Sequence, residues 1–342
     1  MPFMKRKKAS VIGVDIGSYA VKCAEVTAAK DTVLLNHFSV LPISENSPEA
    51  PVKLLKQFFE TLPVKPERVR LAVSGSSLFT RRITLPIMTH AELKGAIRFE
   101  AENHVPFPIE ECVLDFQILN QVPNQAVMNV MLVAAKRDFI QSKLETLASL
   151  NLVPEIIDMN VFCLGNAFEV SSQAREYKTF GLLNIGHETS GFVIFQESLP
   201  YFVREIARGA LGVTQALAGL KGIPETDADQ KKKSTAAEDA GDLRMATEKG
   251  FGPLVEELKS SIDFFEGETQ ENVPWVGLSG GGALSHDAAP VLEAALGRKV
   301  SLWDLSKKIK CAKEADTVLL GTRAVELDVA LGLALRGWGI GT

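Results

Sequence analysis

The chain has 342 residues, 46% hydrophobic and 23% charged, a globular profile with room for two ordinary domains that need no disulfide or structural metal. A formal charge of -5 argues against a nucleic-acid partner, which favours a basic surface. The four cysteines, Cys23, Cys112, Cys163 and Cys311, are too widely spaced for a zinc site or redox pair and read as reduced thiols of a cytoplasmic protein. The basic opening Met1 to Lys8 precedes an apolar run that Asp15 cuts short, so it reads as a frayed tail and not a signal peptide. The longest charge-free stretch, Phe116 to Ala135, holds several Asn and Gln residues whose polar groups lipid would not satisfy, so no segment is expected to span a membrane.

In chain order, the first elements are three β-rich runs, Val11 to Asp15, Val21 to Thr27 and Val33 to Val40, which predict a meander. Thr89 with Glu92 three residues later marks a reciprocally capped helix running to about His104, where Pro106 and Pro108 stop it. Strands are predicted at Val113 to Leu119 and Val127 to Ala134, then an amphipathic helix at Asp138 to Leu150, a strand at Pro154 to Met159 and a helix at Val161 to Val170. The meander then returns as Leu182 to Gly186, Gly191 to Phe195 and Pro200 to Arg204, with a helical pattern behind it. Asp15-Ile16-Gly17 and Asn184-Ile185-Gly186 hold the same place in the two copies, a repeat period that indicates a duplicated domain and not a solenoid. From Thr226 to Lys249 the chain is polar, and its Lys231-Lys232-Lys233 run reads as a solvated face. A helix follows at Pro253 to Phe265, a strand at Pro274 to Leu278, and a last helix from about Ser285 to Leu296.

Three loops carry the chemistry. In Asp15-Ile16-Gly17-Ser18, at a hairpin tip, Gly17 lets backbone amides approach a phosphate, the Ser18 hydroxyl can donate to it, and Lys22 supplies a positive charge; Tyr19 is counted with this loop. Asp15 would orient magnesium, through water because that ion keeps most of its hydration shell. The second tip, Gly186-His187-Glu188-Thr189-Ser190, offers a glycine and two hydroxyls from the opposite copy, with Thr189 the chosen donor and His187 read as a solvated turn residue. Ser279-Gly280-Gly281-Gly282, between strand and helix, presents bare backbone at Gly280, Gly281 and Gly282 to a flat or anionic ligand such as adenosine. Neither the G-x-x-x-x-G-K-[ST] loop nor the G-x-G-x-x-G fingerprint is present.

With these loops, the block Glu100-Ala101-Glu102-Asn103-His104-Val105-Pro106-Phe107-Pro108-Ile109-Glu110-Glu111, followed by Leu114-Asp115-Phe116, resembles the PilM family of type IV pilus assembly, actin-like ATPases related to the division protein FtsA. Arg204-Glu205-Ile206 and Gly332-Leu333-Ala334-Leu335-Arg336 also resemble it, and the likeness covers nearly the whole chain. It implies an α/β actin-like ATPase (ribonuclease H-like) fold with an FtsA-like insertion. The expected division is a first lobe at 9–84 and 153–178, an inserted subdomain at 85–152, a second lobe at 179–212 and 272–342, and its smaller subdomain at 213–271. It also implies ATP and Mg2+ in the interlobe cleft, a partner in the cytoplasmic N-terminal peptide of a PilN-like inner-membrane protein, a groove for that peptide on the first lobe near the insertion, and a link to the pilus motor. Asn184 stands where the family usually has aspartate, so turnover is expected to be slow at most. The tail after Arg336 is too short for the interfacial helix of FtsA-type proteins, so membrane contact is expected only through a partner. Two other readings use the same fold. One is a small-molecule kinase, for which Glu100, Glu102 or Asp115 would be the base; the other is a type II secretion scaffold, against which Asp15, Gly17, Ser18 and Lys22 argue.

Overall fold

A computed structural model describes residues 10–29, 32–45, 47–63, 68–171, 176–234, 239–303, 305, 309–312, 320, 321 and 323–337. The expected frayed N-terminal tail and the residues after Gly337 lie outside them. The meander of the first lobe is β1 (Val11–Ile16), β2 (Ala20–Ala29) and β3 (Thr32–Pro42), followed by α1 (Ala50–Thr61) and β4 (Val69–Val73). Every residue of β4 is buried, and β1 is buried as far as Asp15, as befits central parallel partners covered on both faces. β5 (Leu78–Pro86), α2 (His90–Glu102), β6 (Cys112–Gln121), β7 (Val127–Lys136) and α3 (Arg137–Ala148) form the insertion. Its antiparallel sheet runs β5-β7-β6 and includes Leu78, upstream of residue 85 where the subdomain was expected to begin. The cap of α2 is reciprocal: the Glu92 amide donates to Thr89 Oγ1 at 3.3 Å and the Thr89 amide to Glu92 Oε2 at 2.7 Å.

β8 (Pro154–Met159) and α4 (Asn160–Glu169) return the chain to the first lobe, where β8 pairs with β4. The second lobe repeats the plan with β9 (Thr179–Ile185), β10 (Ser190–Gln196), β11 (Leu199–Ile206) and α5 (Leu211–Lys221). α6 (Glu225–Lys231) and α7 (Ala240–Thr269) come next. The polar stretch is therefore largely helical: α7 is 30 residues long and continues through Pro253, which the sequence reading placed at a helix start. β12 (Trp275–Ser279), α8 (Ala288–Leu296) and β13 (Lys299–Leu302) complete the sheet β11-β10-β9-β12-β13. β14 (Ile309–Cys311) joins the first-lobe sheet, β14-β3-β2-β1-β4-β8, and α9 (Asp328–Leu335) packs there too. β14 and α9 thus belong with the first lobe, although 272–342 was expected to continue the second, because they pair with β3 and pack on the first-lobe sheet.

All eight residues of α9 are buried, the mark of a helix enclosed on every side. Arg70 supplies its C-terminal carbonyls: Nη1 donates to the Leu333 and Ala334 oxygens at 3.1 Å each and to the Arg336 oxygen at 2.7 Å, the Leu333 oxygen also accepting from the Arg336 amide at 3.3 Å. Arg70 is 3% exposed, and its Nε donates to Glu155 at 2.6 Å. One apolar core runs through the first-lobe sheet, α4 and α9 into Leu182, Val193, Phe195 and Trp275 of the second lobe. The lobes are thereby joined at their base, and the two meander tips face one another above it.

Candidate functional site

The two tips are the same turn. The Gly17 amide donates to the Ala20 oxygen at 3.1 Å, and the Gly186 amide to the Thr189 oxygen at 3.0 Å. Strand register matches as well, with Asp15 opposite Lys22 in one lobe and Asn184 opposite Gly191 in the other. Asp15 is 4% exposed and holds Lys22 Nζ at 3.0 Å, while Asn160 Nδ2 lies 3.5 Å from its second oxygen. Ser18 is exposed at the first tip. The start of α5 braces the second tip: Ala210 and Leu211 amides donate to the Gly186 and His187 oxygens at 2.9 and 2.8 Å.

Between the tips lies a narrow cleft of about 40 Å³, lined by Tyr19, Ala20 and Lys22 on one side and Gly186, His187 and Ala210 on the other, closed by Gly281, Gly282, Lys232, Lys233 and Glu326. Gly280 has φ +84°, and a Cβ there would meet Asn184 Oδ1 at 2.2 Å, so β12 turns into the cleft through a backbone that only glycine accommodates. At Gly281 a Cβ would meet nothing nearer than the Glu326 carboxyl at 3.7 Å, which leaves its backbone open to the cleft.

Charge is arranged around this space in linked pairs. Lys232, 3% exposed, donates to Asp229 Oδ1 at 2.5 Å and to Thr214 Oγ1 at 2.9 Å, and Tyr19 Oη crosses from the first lobe to donate to Asp229 Oδ2 at 2.7 Å. Burial pushes the Asp229 carboxyl up, but hydrogen bonds from Lys232, Tyr19 and Thr214 with the Lys232 charge outweigh it, and the group sits below the usual carboxylate range. Tyr19 is pushed up to about 12 by burial and by its bond to Asp229, so its hydroxyl keeps the proton it donates. Glu326 accepts from Arg323 at 2.8 and 3.2 Å and lies 3.5 Å from Lys233 Nζ. The buried side-chain oxygens with no hydrogen-bond partner among the described residues include Asn160 Oδ1, on the side chain beside Asp15, and Glu205 Oε1.

Of the residues singled out in sequence, Tyr19, Lys22, Gly186, Gly281 and Gly282 line the one cleft, with Asp15 and Gly17 against Lys22 and with Gly280 against Asn184. Thr189 is half-buried and contributes its carbonyl to the turn. The Ser190 hydroxyl is not free as read, since it donates to the Arg208 oxygen at 2.7 Å. His187 is not a solvated turn residue: it packs on the Tyr19 ring at 5.0 Å between centroids, and burial, then the Lys232 charge, lowers its basicity. The lysine run is not a solvated face either. Lys232 is buried and Lys233 points at Glu326, because α6 turns the run inward. The signal available in sequence was Gly222, left-handed at the end of α5, followed by Pro224 before α6, which together end one helix and start a short one carrying Asp229, with Lys232 three residues on. No such signal marked Arg323, Glu326 or Asn160.

Comparison with known proteins agrees with this geometry. The family described as type IV pilus assembly protein PilM matches residues 13–338. A chain of a solved PilM-PilN type IV pilus biogenesis complex is 26% identical, with a TM-score of 0.83 over 98% of this chain and 100% of that one. The ethanolamine utilization protein EutJ from Carboxydothermus hydrogenoformans is 12% identical, with a TM-score of 0.57 over 97% of this chain and 91% of that one, a likeness of fold alone. Paired meanders in register, glycine turns face to face and a family match over almost the whole length lead to one assignment: the chain has the actin-like ATPase fold and belongs to the PilM family of type IV pilus assembly proteins.

Proposed function

We propose that this protein is a cytoplasmic, nucleotide-binding adaptor of the type IV pilus machine, in which ATP with Mg2+ sits between the two meander tips and favours a closed cleft. The observation that carries it is the pair of register-equivalent glycine turns facing one cavity, one of them carrying Lys22. Backbone amides near Gly17, the exposed Ser18 hydroxyl and Lys22 would take phosphate oxygens from the first lobe. From the second lobe the backbone at Gly186 would do the same, with Thr189 and Asn184 beside it, and the open backbone of Gly280, Gly281 and Gly282 would carry the nucleoside. Lys232 and Lys233 line the cleft as well, each paired with a carboxylate, Asp229 and Glu326.

The surroundings of Asp15 fit a hydrated cation: the carboxylate is buried against Lys22 of the cleft lining, and Asn160 at its second oxygen carries a buried acceptor, Oδ1, with no donor among the described residues. No cluster of three His, Cys, Asp or Glu side chains able to hold a metal occurs among the described residues, so Mg2+ would be held through its waters, with Asp15 the principal anion. When bound, the ion would neutralise phosphate charge. Asn184 brings no charge to the site, and we expect turnover to be slow.

The partner follows from the PilM-PilN complex that the chain resembles. A PilN-like N-terminal peptide would dock in the depression between the end of α1 and the segment after α3, where Phe59, Leu62, Leu150 and Leu152 offer an apolar floor edged by Lys56 and Glu60. Among the described residues no helix is long and apolar enough to cross a membrane, and the partner would hold the protein at the inner membrane and couple it to the pilus motor. Glu100, Glu102 and Asp115 are not among the residues lining the cleft, so nothing favours the kinase reading. The test is calorimetric titration with Mg-ATP and then with the cognate PilN N-terminal peptide. Saturable ATP binding that alters peptide affinity, with little phosphate release, is the expected result; failure to bind ATP at millimolar concentration would overturn the reading.

A further inference from the structure

The two lobes place their charges differently along equivalent rows. In an antiparallel sheet, residues directly opposite one another project from the same face. In the first lobe the row reads Asp15, Lys22, Val40, so the acid lies on the first strand with a lysine beside it. In the second lobe it reads Asn184, Gly191, Glu205. The acid has moved to the third strand, and the position between carries no side chain. This row is on the face turned toward α4: its neighbours Leu182, Val193 and Val203 belong to the interlobe core, whereas Leu183, Phe192 and Ile206 face the opposite way.

The bare position at Gly191 lets Glu205 lean inward. A Cβ on Gly191 would lie 3.4 Å from Glu205 Oε1 and 2.6 Å from Val161 Cγ1, so the carboxyl and the first turn of α4 share that gap. Glu205 Oε2 accepts from the Gly75 amide of the first lobe at 3.2 Å, two residues beyond the end of β4, the strand that places Ala72 opposite Asp15. Its other oxygen is buried without a partner, as is Asn160 Oδ1, whose amide nitrogen lies 3.5 Å from Asp15. One orphan acceptor, Asn160 Oδ1, belongs to the side chain beside Asp15, and the other, Glu205 Oε1, lies beside Gly191, next in the row to Asn184; such acceptors call for donors, and the waters of a hydrated cation supply several at once.

We propose that Glu205 supplies the second lobe's carboxylate to the hydrated Mg2+ of a bound nucleotide, reaching over Gly191 to the place where Asn184 carries no charge. The inference rests on the nucleotide reading given above. Asp15 then acts from the first lobe and Glu205 from the second, with Asn160 accepting from a water of the same shell.

The experiment measures the equilibrium affinity of the full chain for a fluorescent ATP analogue with excess EDTA and with millimolar Mg2+, in the wild type, Glu205→Gln, Asn184→Asp and the double variant. For the wild type, Mg2+ tightens binding. Glu205→Gln is expected to lose roughly tenfold of that enhancement, the scale of a hydrogen bond to a charged group, while its affinity in EDTA is unchanged and reports an intact cleft. In the double variant, Asn184→Asp restores the enhancement by returning a carboxylate to the row. An unchanged Mg2+ enhancement in Glu205→Gln, or an equal loss with and without Mg2+, overturns the role of Glu205 and leaves the nucleotide reading standing. Absence of binding by the wild type under both conditions overturns the nucleotide reading itself, and this inference with it.

Discussion

Burial pushes the Glu205 carboxyl from its ordinary 4.5 up to about 7, and the hydrogen bond from the Gly75 amide opposes the rise. The folded value lies above the unfolded one, so between those two pH values the native state binds more protons than the unfolded chain. The group's contribution to stability is fully present below pH 4.5 and is lost as pH rises through 7, at a cost of about 3 kcal/mol above that range. Glu205→Gln removes the titration while keeping an acceptor for Gly75. Its melting temperature should therefore exceed that of the wild type at pH 8 and match it at pH 4.5 to 5. Thermal melts in EDTA at the two pH values check this, and a variant less stable at pH 8 would contradict the expected sign. Residue chemistry was unevenly visible in sequence. Asp15 and Lys22 declared themselves, since a glycine turn places residues seven apart on opposing strands. Lys232 did not, because its burial depends on Asp229, Thr214 and Tyr19, which reach it only after three segments have folded together.

At the scale of elements, the strands read in sequence match to within one or two residues at most ends because β-branched runs bounded by turn residues leave few alternatives, whereas β4, β5, β13 and β14 were not read at all. α7 was not, since Pro253 and a charged surface conceal a helix whose buried face, Leu243, Ala246, Phe251, Leu254 and Leu258, emerges only when the helix is read across the proline. The same helix offers a paired test. A Cβ on Gly250 would lie 2.4 Å from the Val213 backbone nitrogen of α5, whereas one on Gly252 would meet nothing within 4 Å. Gly250→Ala should destabilise the fold by about 1–3 kcal/mol through overpacking. It should also weaken nucleotide binding, because α5 braces the second tip through Ala210 and Leu211. Gly252→Ala should be neutral or stabilising by up to about 1 kcal/mol, the helix-propensity gain. Denaturant unfolding of both variants separates the two, and equal effects would show that the crossing of α5 and α7 is slack. Arg70 tests the other buried helix. Arg70→Met removes the side-chain donor from the carbonyls of Leu333, Ala334 and Arg336 and should cost about 3 kcal/mol, read as a lowered denaturation midpoint without a change in slope.

Across the whole molecule, what passes between the lobes above their shared core is sparse and polar. Tyr19 Oη bonds to Asp229 while its ring packs on His187, the Gly75 amide bonds to Glu205, and the Arg82 guanidinium of β5 lies 3.9 Å over the Tyr201 ring of β11. A closed cleft held by few directional contacts is well suited to a ligand that shifts closure, since its effect on a remote partner is limited by its differential affinity for the two states. Tyr19 is the contact to remove. Tyr19→Phe keeps the ring that packs on His187 and deletes only the hydroxyl, while Asp229 retains Lys232 and Thr214, so the subdomain that carries Asp229 stays satisfied in both open and closed states. The loss falls on the closed state alone, at about 1 kcal/mol, the net worth of one such hydrogen bond. Affinity for Mg-ATP should drop roughly fivefold, and the change that Mg-ATP produces in affinity for a PilN-like peptide should shrink by up to the same factor, because coupling is reciprocal. Peptide affinity without nucleotide should stay as in the wild type, since Phe59, Leu62, Leu150 and Leu152 lie in a depression separate from the cleft. Titrating peptide into wild type and variant, each with and without Mg-ATP, gives all four affinities. If Tyr19→Phe changed peptide binding equally in both conditions, cleft closure would not be the element through which nucleotide and partner communicate.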